Sequence, residues 1–293
     1  MSNRWDSLVT GFCSTLFDGY PEVFNCVTSF AMLFVGCYLL YALNLKPFII
    51  KAIASCFIVN WFGSFMVHYV GYLYYGHIDT FSMLMVSWFI NYLVCSGIFA
   101  VIRRRLIREP CTDTWALFGI VFLIFTLAAT AVSGKPWNVD FDFAAAFAVP
   151  NIISIVAMFA LLGMTWRRIT WRVVIYFIVG LSMMIIAVII WLATEPKCLE
   201  IRGTGEKPNE FMRVSHGFWH LLFSFGAYYF IIIAIYVRYV IEDKDVIFMA
   251  TIGCGCNCGC CRCCGCSCGF ESLLGYILPV VDIKYENMGD LPI

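Results

Sequence analysis

Of the four histidines in this 293-residue chain, three lie in or beside long apolar runs, where a titratable side chain is costly and marks a functional candidate. His216 and His220 open the last such run, in "VSHGFWHLLFSFGAYY", and their spacing puts both on one helix face about 6 Å apart. Ser64 and His68 repeat that spacing in "FGSFMVHYVGYLYY", near the end of the second run. Asp79 opens the third run and Glu22 the first. Three imidazoles and an acid converging at one depth make a catalytic zinc site, with three protein ligands and one position open to water. Blander roles stay open beside this one. Histidines within spans also hydrogen-bond between helices, and Ser64 is small and polar enough to serve as helix-packing glue. Glu22 also suits a helix N-terminus through the macrodipole.

Whether these residues meet depends on the segments that carry them. The chain is 62% hydrophobic and 13% charged, and its mean hydropathy of +0.85 exceeds what a soluble core needs. A formal net charge of zero argues against nucleic acid as a partner. The first twenty residues lack the continuous apolar core of a cleavable signal peptide, so the first span is expected to direct membrane entry. Crossing roughly 30 Å of hydrocarbon takes about 20 apolar residues. Seven runs qualify, at about 23–45, 48–72, 79–102, 115–133, 141–165, 172–194 and 214–240. The expected fold is all-α, an integral membrane bundle of seven transmembrane helices. Residues 1–22 precede it and a tail, 241–293, follows the 23–240 membrane domain. Thirteen Lys and Arg residues fall on the side holding the tail and six on the other, which predicts a cytosolic C-terminus and a lumenal or extracellular N-terminus. In that topology Glu22, Ser64, His68, Asp79, His216 and His220 all lie near the outer membrane surface.

The order Ser64-x3-His68, Asp79, His216-x3-His220 resembles the pattern of the alkaline ceramidases, part of a wider superfamily of seven-span metal hydrolases that includes adiponectin-receptor-like proteins. "HGFWHLLFSFGAYYFIIIAIYVRY" is similar to the family's closing segment, and "EVFNCVTS" at Glu22 to its first-span opening. The resemblance implies a membrane enzyme in which His68, His216 and His220 bind Zn²⁺, Asp79 handles protons and Ser64 steadies an oxyanion. Its substrate would be a ceramide-like lipid, cleaved to a sphingoid base and a fatty acid. It also implies a disulfide between Cys13 and Cys198, both on the expected oxidising side. The family's calcium site, to which the Glu22 position contributes, is not matched in full. Ser14 and Leu16 stand where oxygen ligands would be, leaving Glu22 and Asp18 for a cation that prefers six or more oxygens. Two alternatives stay beside the ceramidase reading: a lipid ester hydrolase of the GPI-remodelling kind, and an adiponectin-receptor-like membrane receptor. The compartment is left open among endoplasmic reticulum, Golgi and plasma membrane.

The tail carries "CGCNCGCCRCCGCSC", which holds nine of the sixteen cysteines. On a reducing cytosolic face disulfides are disfavoured, and the spacing lacks the four-ligand frame of a folded zinc site. Cys254, Cys256, Cys258, Cys260, Cys261, Cys263, Cys264, Cys266 and Cys268 are therefore read as S-palmitoylation sites, with a soft-metal thiolate cluster as the alternative. The apolar patch Leu273–Val281 is too short to span and is expected at the interface. A palmitate probe should label the wild-type chain and lose its signal when the cluster is changed to serine. An unlabelled wild type would reject the acylation reading.

Overall fold

In hydrocarbon every backbone N–H and C=O must find a partner within the protein, and a helix achieves this within itself. The long apolar runs accordingly form helices. A computed structural model of the chain describes residues 22–42, 48–107, 141–204, 210–242, 246–249 and 278–283. These contain α1 (Val23–Ala42), α2 (Phe48–Val70), α3 (Leu73–Ile107), α4 (Phe141–Thr165), α5 (Trp171–Thr204) and α6 (Glu210–Ile241). Each of the six is long and apolar enough to cross a membrane, which places the chain among all-α integral membrane proteins. The span expected at 115–133 lies outside the described residues. Two boundaries differ most from expectation. Because α3 starts at Leu73 rather than 79, Asp79 sits nearly two turns inside the helix, and α5 runs on past 194 to Thr204.

The bundle is organised around α6, which packs against α1, α3, α4 and α5. Tyr228, Phe230, Ile231, Ile232 and Ile233 on α6 are among the largest fully buried side chains. By contrast α5 exposes Ile178, Ile185, Ile186, Ile189 and Leu192, the outward apolar face that a membrane requires of a peripheral helix.

Short connections set which helix ends meet. Gly71 has a φ of 76°, and its N–H donates to the Val67 carbonyl at 2.9 Å. That left-handed C-terminal cap, natural to glycine, ends α2 just past His68 and lets α3 begin at Leu73. At the same level the Glu22 N–H, at the start of α1, donates to the His68 carbonyl at 3.1 Å. An orphan donor of one helix thus meets an orphan acceptor of the next. Between α3 and α4, Asn91 Nδ2 donates to the Pro150 carbonyl at 3.4 Å. Asn151 Nδ2 donates to Ser87 Oγ at 3.1 Å. This amide clasp lies beside the proline inside α4.

The tail departs from expectation. Val246–Met249 (β1) and Val280–Ile283 (β2) pair antiparallel, Val246 opposite Ile283 and Met249 opposite Val280, so a small strand pair joins the helices. Leu278, Val280 and Val281 are buried, whereas the patch they belong to was expected at the membrane interface. The reason is hydrogen bonding: Tyr38 Oη donates to the Leu278 carbonyl at 3.0 Å and Tyr228 Oη to the Pro279 carbonyl at 2.7 Å. Buried backbone carbonyls need such partners wherever water does not reach them. Cys254–Cys268, in the connection between the strands, lies outside the described residues. Tyr228→Phe should cost about 1–3 kcal/mol, the range for stranding a buried acceptor, measured by thermal unfolding in detergent. An unchanged melting curve would show that the tail is not held by this bond.

Candidate metal centre

The polar stripe of α2 has a simple origin. Asn60, Ser64 and His68 recur every four residues, so they share one helix face. All three are buried in the largely apolar α2. On α6 the same spacing aligns His216 and His220. The two faces meet. The rings of His68 and His216 lie 5.1 Å apart between centroids, those of His68 and His220 5.2 Å, and those of His216 and His220 4.7 Å. One nitrogen from each lies within 4.8 Å of the others. The three residues are 3%, 8% and 1% exposed in chain order, too enclosed for their polar atoms to be left to solvent.

Their partners come from α1 and α2. The Glu22 carboxylate lies 3.2 Å from His68 Nδ1 and accepts at 2.8 Å from Asn25 Nδ2. Thr28 Oγ1 is 3.3 Å from His220 Nδ1, and Ser64 Oγ is 3.3 Å from His220 Nε2. Asn60 Nδ2 donates to Asp79 Oδ1 at 2.6 Å and to the Asp79 carbonyl at 2.9 Å.

Two glycines make these approaches possible. A Cβ added at Gly63 would stand 2.5 Å from the Asp79 nitrogen and 2.9 Å from its Cα, so α2 and α3 cross backbone to backbone beside Ser64. A Cβ at Gly217 would stand 2.5 Å from the Phe24 ring and 2.8 Å from Thr28 Oγ1. There α1 lies directly against α6, between the two histidines.

The donor set suits a borderline-soft divalent ion. Zinc takes neutral imidazole nitrogens at about 2.0–2.1 Å, roughly 3.4 Å from one another around a tetrahedral ion. Three nitrogens within 4.8 Å of one another could hold such an ion. A carboxylate on the far nitrogen of a ligating histidine is the usual orienting partner, and Glu22 stands in that relation to His68.

A protein-family model described as Ceramidase matches residues 16–252. The chain belongs to the ceramidase family. Membership supports a ceramide-hydrolysing membrane enzyme, and it fits helices that span a membrane and a site buried within them. Comparison with curated proteins gave no match.

In this family member His68, His216 and His220 come together, Ser64 Oγ reaches His220, and Asp79 is held by Asn60, one turn before Ser64 on α2. The structure turns Glu22 towards His68. Asp18 and the other positions expected near a calcium ion lie outside the described residues. So does Cys13, and the Cys198 side chain is likewise not described, which leaves their pairing as an expectation. Among the described residues Cys26, Cys37, Cys56 and Cys95 are free thiols. Asn25, Thr28 and Asn60 were not foreseen. Asn60 had a signal, since it extends the Ser64–His68 spacing back by one turn. Asn25 and Thr28 were visible only as polar residues in an apolar run.

Gly217→Ala should separate α1 from α6 and cost about 1–3 kcal/mol, as overpacking does. Gly163→Ala, where an added Cβ meets nothing within 4 Å, serves as the neutral control. Equal melting temperatures for the two variants in detergent would refute this close approach.

Proposed function

We propose that the chain is a zinc-dependent intramembrane amidase that cleaves ceramide-type lipids to a sphingoid base and a fatty acid. The observation that carries this reading is the convergence of His68, His216 and His220 with Ser64 Oγ at hydrogen-bond distance from one of them, in a chain of the ceramidase family. Zinc, when bound by the three imidazoles, supplies a Lewis acid and lowers the pKa of water towards neutrality.

The remaining chemistry falls to side chains. Asn60 holds Asp79 Oδ1, so Oδ2 takes the proton of the attacking water and returns it to the departing amine nitrogen. Ser64 Oγ–H donates to the acyl oxygen as negative charge develops there. Water's hydroxyl ends on the acyl carbon, the C–N bond breaks, and the amine leaves protonated. The long chains of the lipid stay in the bilayer and reach the site sideways between helices. The N-terminal end of α1 faces the lumen or cell exterior and the tail the cytosol, consistent with thirteen of nineteen Lys and Arg residues on the tail side.

Purified protein should hydrolyse ceramide, lose activity to a zinc chelator and recover it with added zinc. His220→Ala should abolish turnover, and Asp79→Asn should lower it about 10²–10⁴-fold, the range for general acid–base catalysis. Ser64→Ala should lose about 10²–10³-fold in kcat. Wild-type rates in His220→Ala would overturn the assignment. Hydrolysis of ester lipids but not of ceramide would redirect it to the lipid ester hydrolases.

A further inference from the structure

We propose that Thr28 is a positioning residue for His220: its oxygen accepts the Nδ1 proton and holds the ring in the tautomer whose Nε2 lone pair faces the histidine cluster. The proposal adds an orienting residue to the zinc reading above and rests on that reading.

Thr28 Oγ1 and His220 Nδ1 are 3.3 Å apart, and either atom is able to donate. A threonine hydroxyl has one hydrogen, and here two backbone carbonyls claim it: Phe24 at 3.0 Å and Asn25 at 3.2 Å. Such back-bonding within a helix is a common way to satisfy a buried threonine donor. What the oxygen has left for His220 is a lone pair, so the proton between them belongs to Nδ1. On the other edge, Ser64 Oγ lies 3.3 Å from Nε2, and a hydroxyl is able to donate to that nitrogen's lone pair. Each contact is satisfied by the same tautomer.

Glu22 holds His68 in the matching form, since a carboxylate at 3.2 Å accepts from Nδ1. Thus α1 supplies no ligand to the cluster yet orients two of the three. Gly217 makes this possible for Thr28, because any larger residue there would meet Oγ1 at 2.8 Å. Second partners of this kind commonly govern about 10–100-fold in metal affinity.

The test uses full-length protein in detergent with ¹⁵N-labelled histidine, whose four residues keep the spectrum assignable. In chelator-stripped wild type, His220 should carry its proton on Nδ1, and Thr28→Val should lose that fixed tautomer. Zinc affinity, read by competition with a chromogenic chelator, should fall about 10–100-fold in Thr28→Val and stay near wild type in Thr28→Ser. Stripped Thr28→Ser should melt with wild type, and stripped Thr28→Val below it, because the buried Nδ1 donor loses its acceptor. Wild-type zinc affinity in Thr28→Val, or a proton on Nε2 in stripped wild type, would overturn the proposal. A wild type that keeps the Nδ1 proton but takes up no zinc would instead overturn the zinc reading, and with it the metal-orienting role of Thr28.

Discussion

Inside a bilayer there is no water to satisfy a polar side chain, so an imidazole or carboxylate at that depth must find its partner within the bundle. The architecture of this protein follows from that requirement. His68, His216 and His220 are almost completely enclosed, and each partner that Glu22, Thr28 and Ser64 provide comes from a neighbouring helix. Such contacts need helices closer together than ordinary side chains allow. Gly63 and Gly217 remove the side chain where α2 meets α3 and where α1 meets α6. The polar centre and the glycine crossings are two aspects of one constraint.

The same constraint shapes the opposite part of the molecule. The strand pair at Val246–Met249 and Val280–Ile283 brings non-helical backbone against the bundle, and two tyrosine hydroxyls meet carbonyls that would otherwise be stranded. Periodicity could not reveal this. Leu273–Val281 reads as a short apolar patch, and nothing local distinguishes a segment lying on a membrane from one docked into a protein. The deciding donors, Tyr38 and Tyr228, are 240 and 51 residues away from their acceptors.

Much of the site was legible because helical spacing is short-range information. Ser64 and His68, and His216 and His220, lie four residues apart, and four residues is about one turn, so each pair had to share a face if its run was helical. The depth of Asp79 and Glu22 followed from alternating helix direction. The partner of Glu22 did not. A carboxylate at the head of a helix suits the helix dipole, a cation or a histidine equally well, and the choice of His68 depends on where α2 ends. That end is set by Gly71, whose positive φ no periodic pattern encodes. Thr28 was less visible still, because a threonine in an apolar run usually satisfies its hydroxyl on its own helix. Only the arrival of α6 makes its remaining lone pair matter.

What the sequence determined by itself was the class of the molecule and the inventory of its chemistry. Apolar runs longer than the hydrocarbon is thick have to become helices, and so few ionisable residues within them can be picked out one by one. What the tertiary structure decided was pairing: which nitrogen faces which oxygen, which helix orients and which supplies donors, and where the tail comes to rest. Hydrophobic burial has no direction, so it can gather helices without ordering their polar atoms. Hydrogen bonds at about 3 Å are directional, and their geometry exists only after the helices have met.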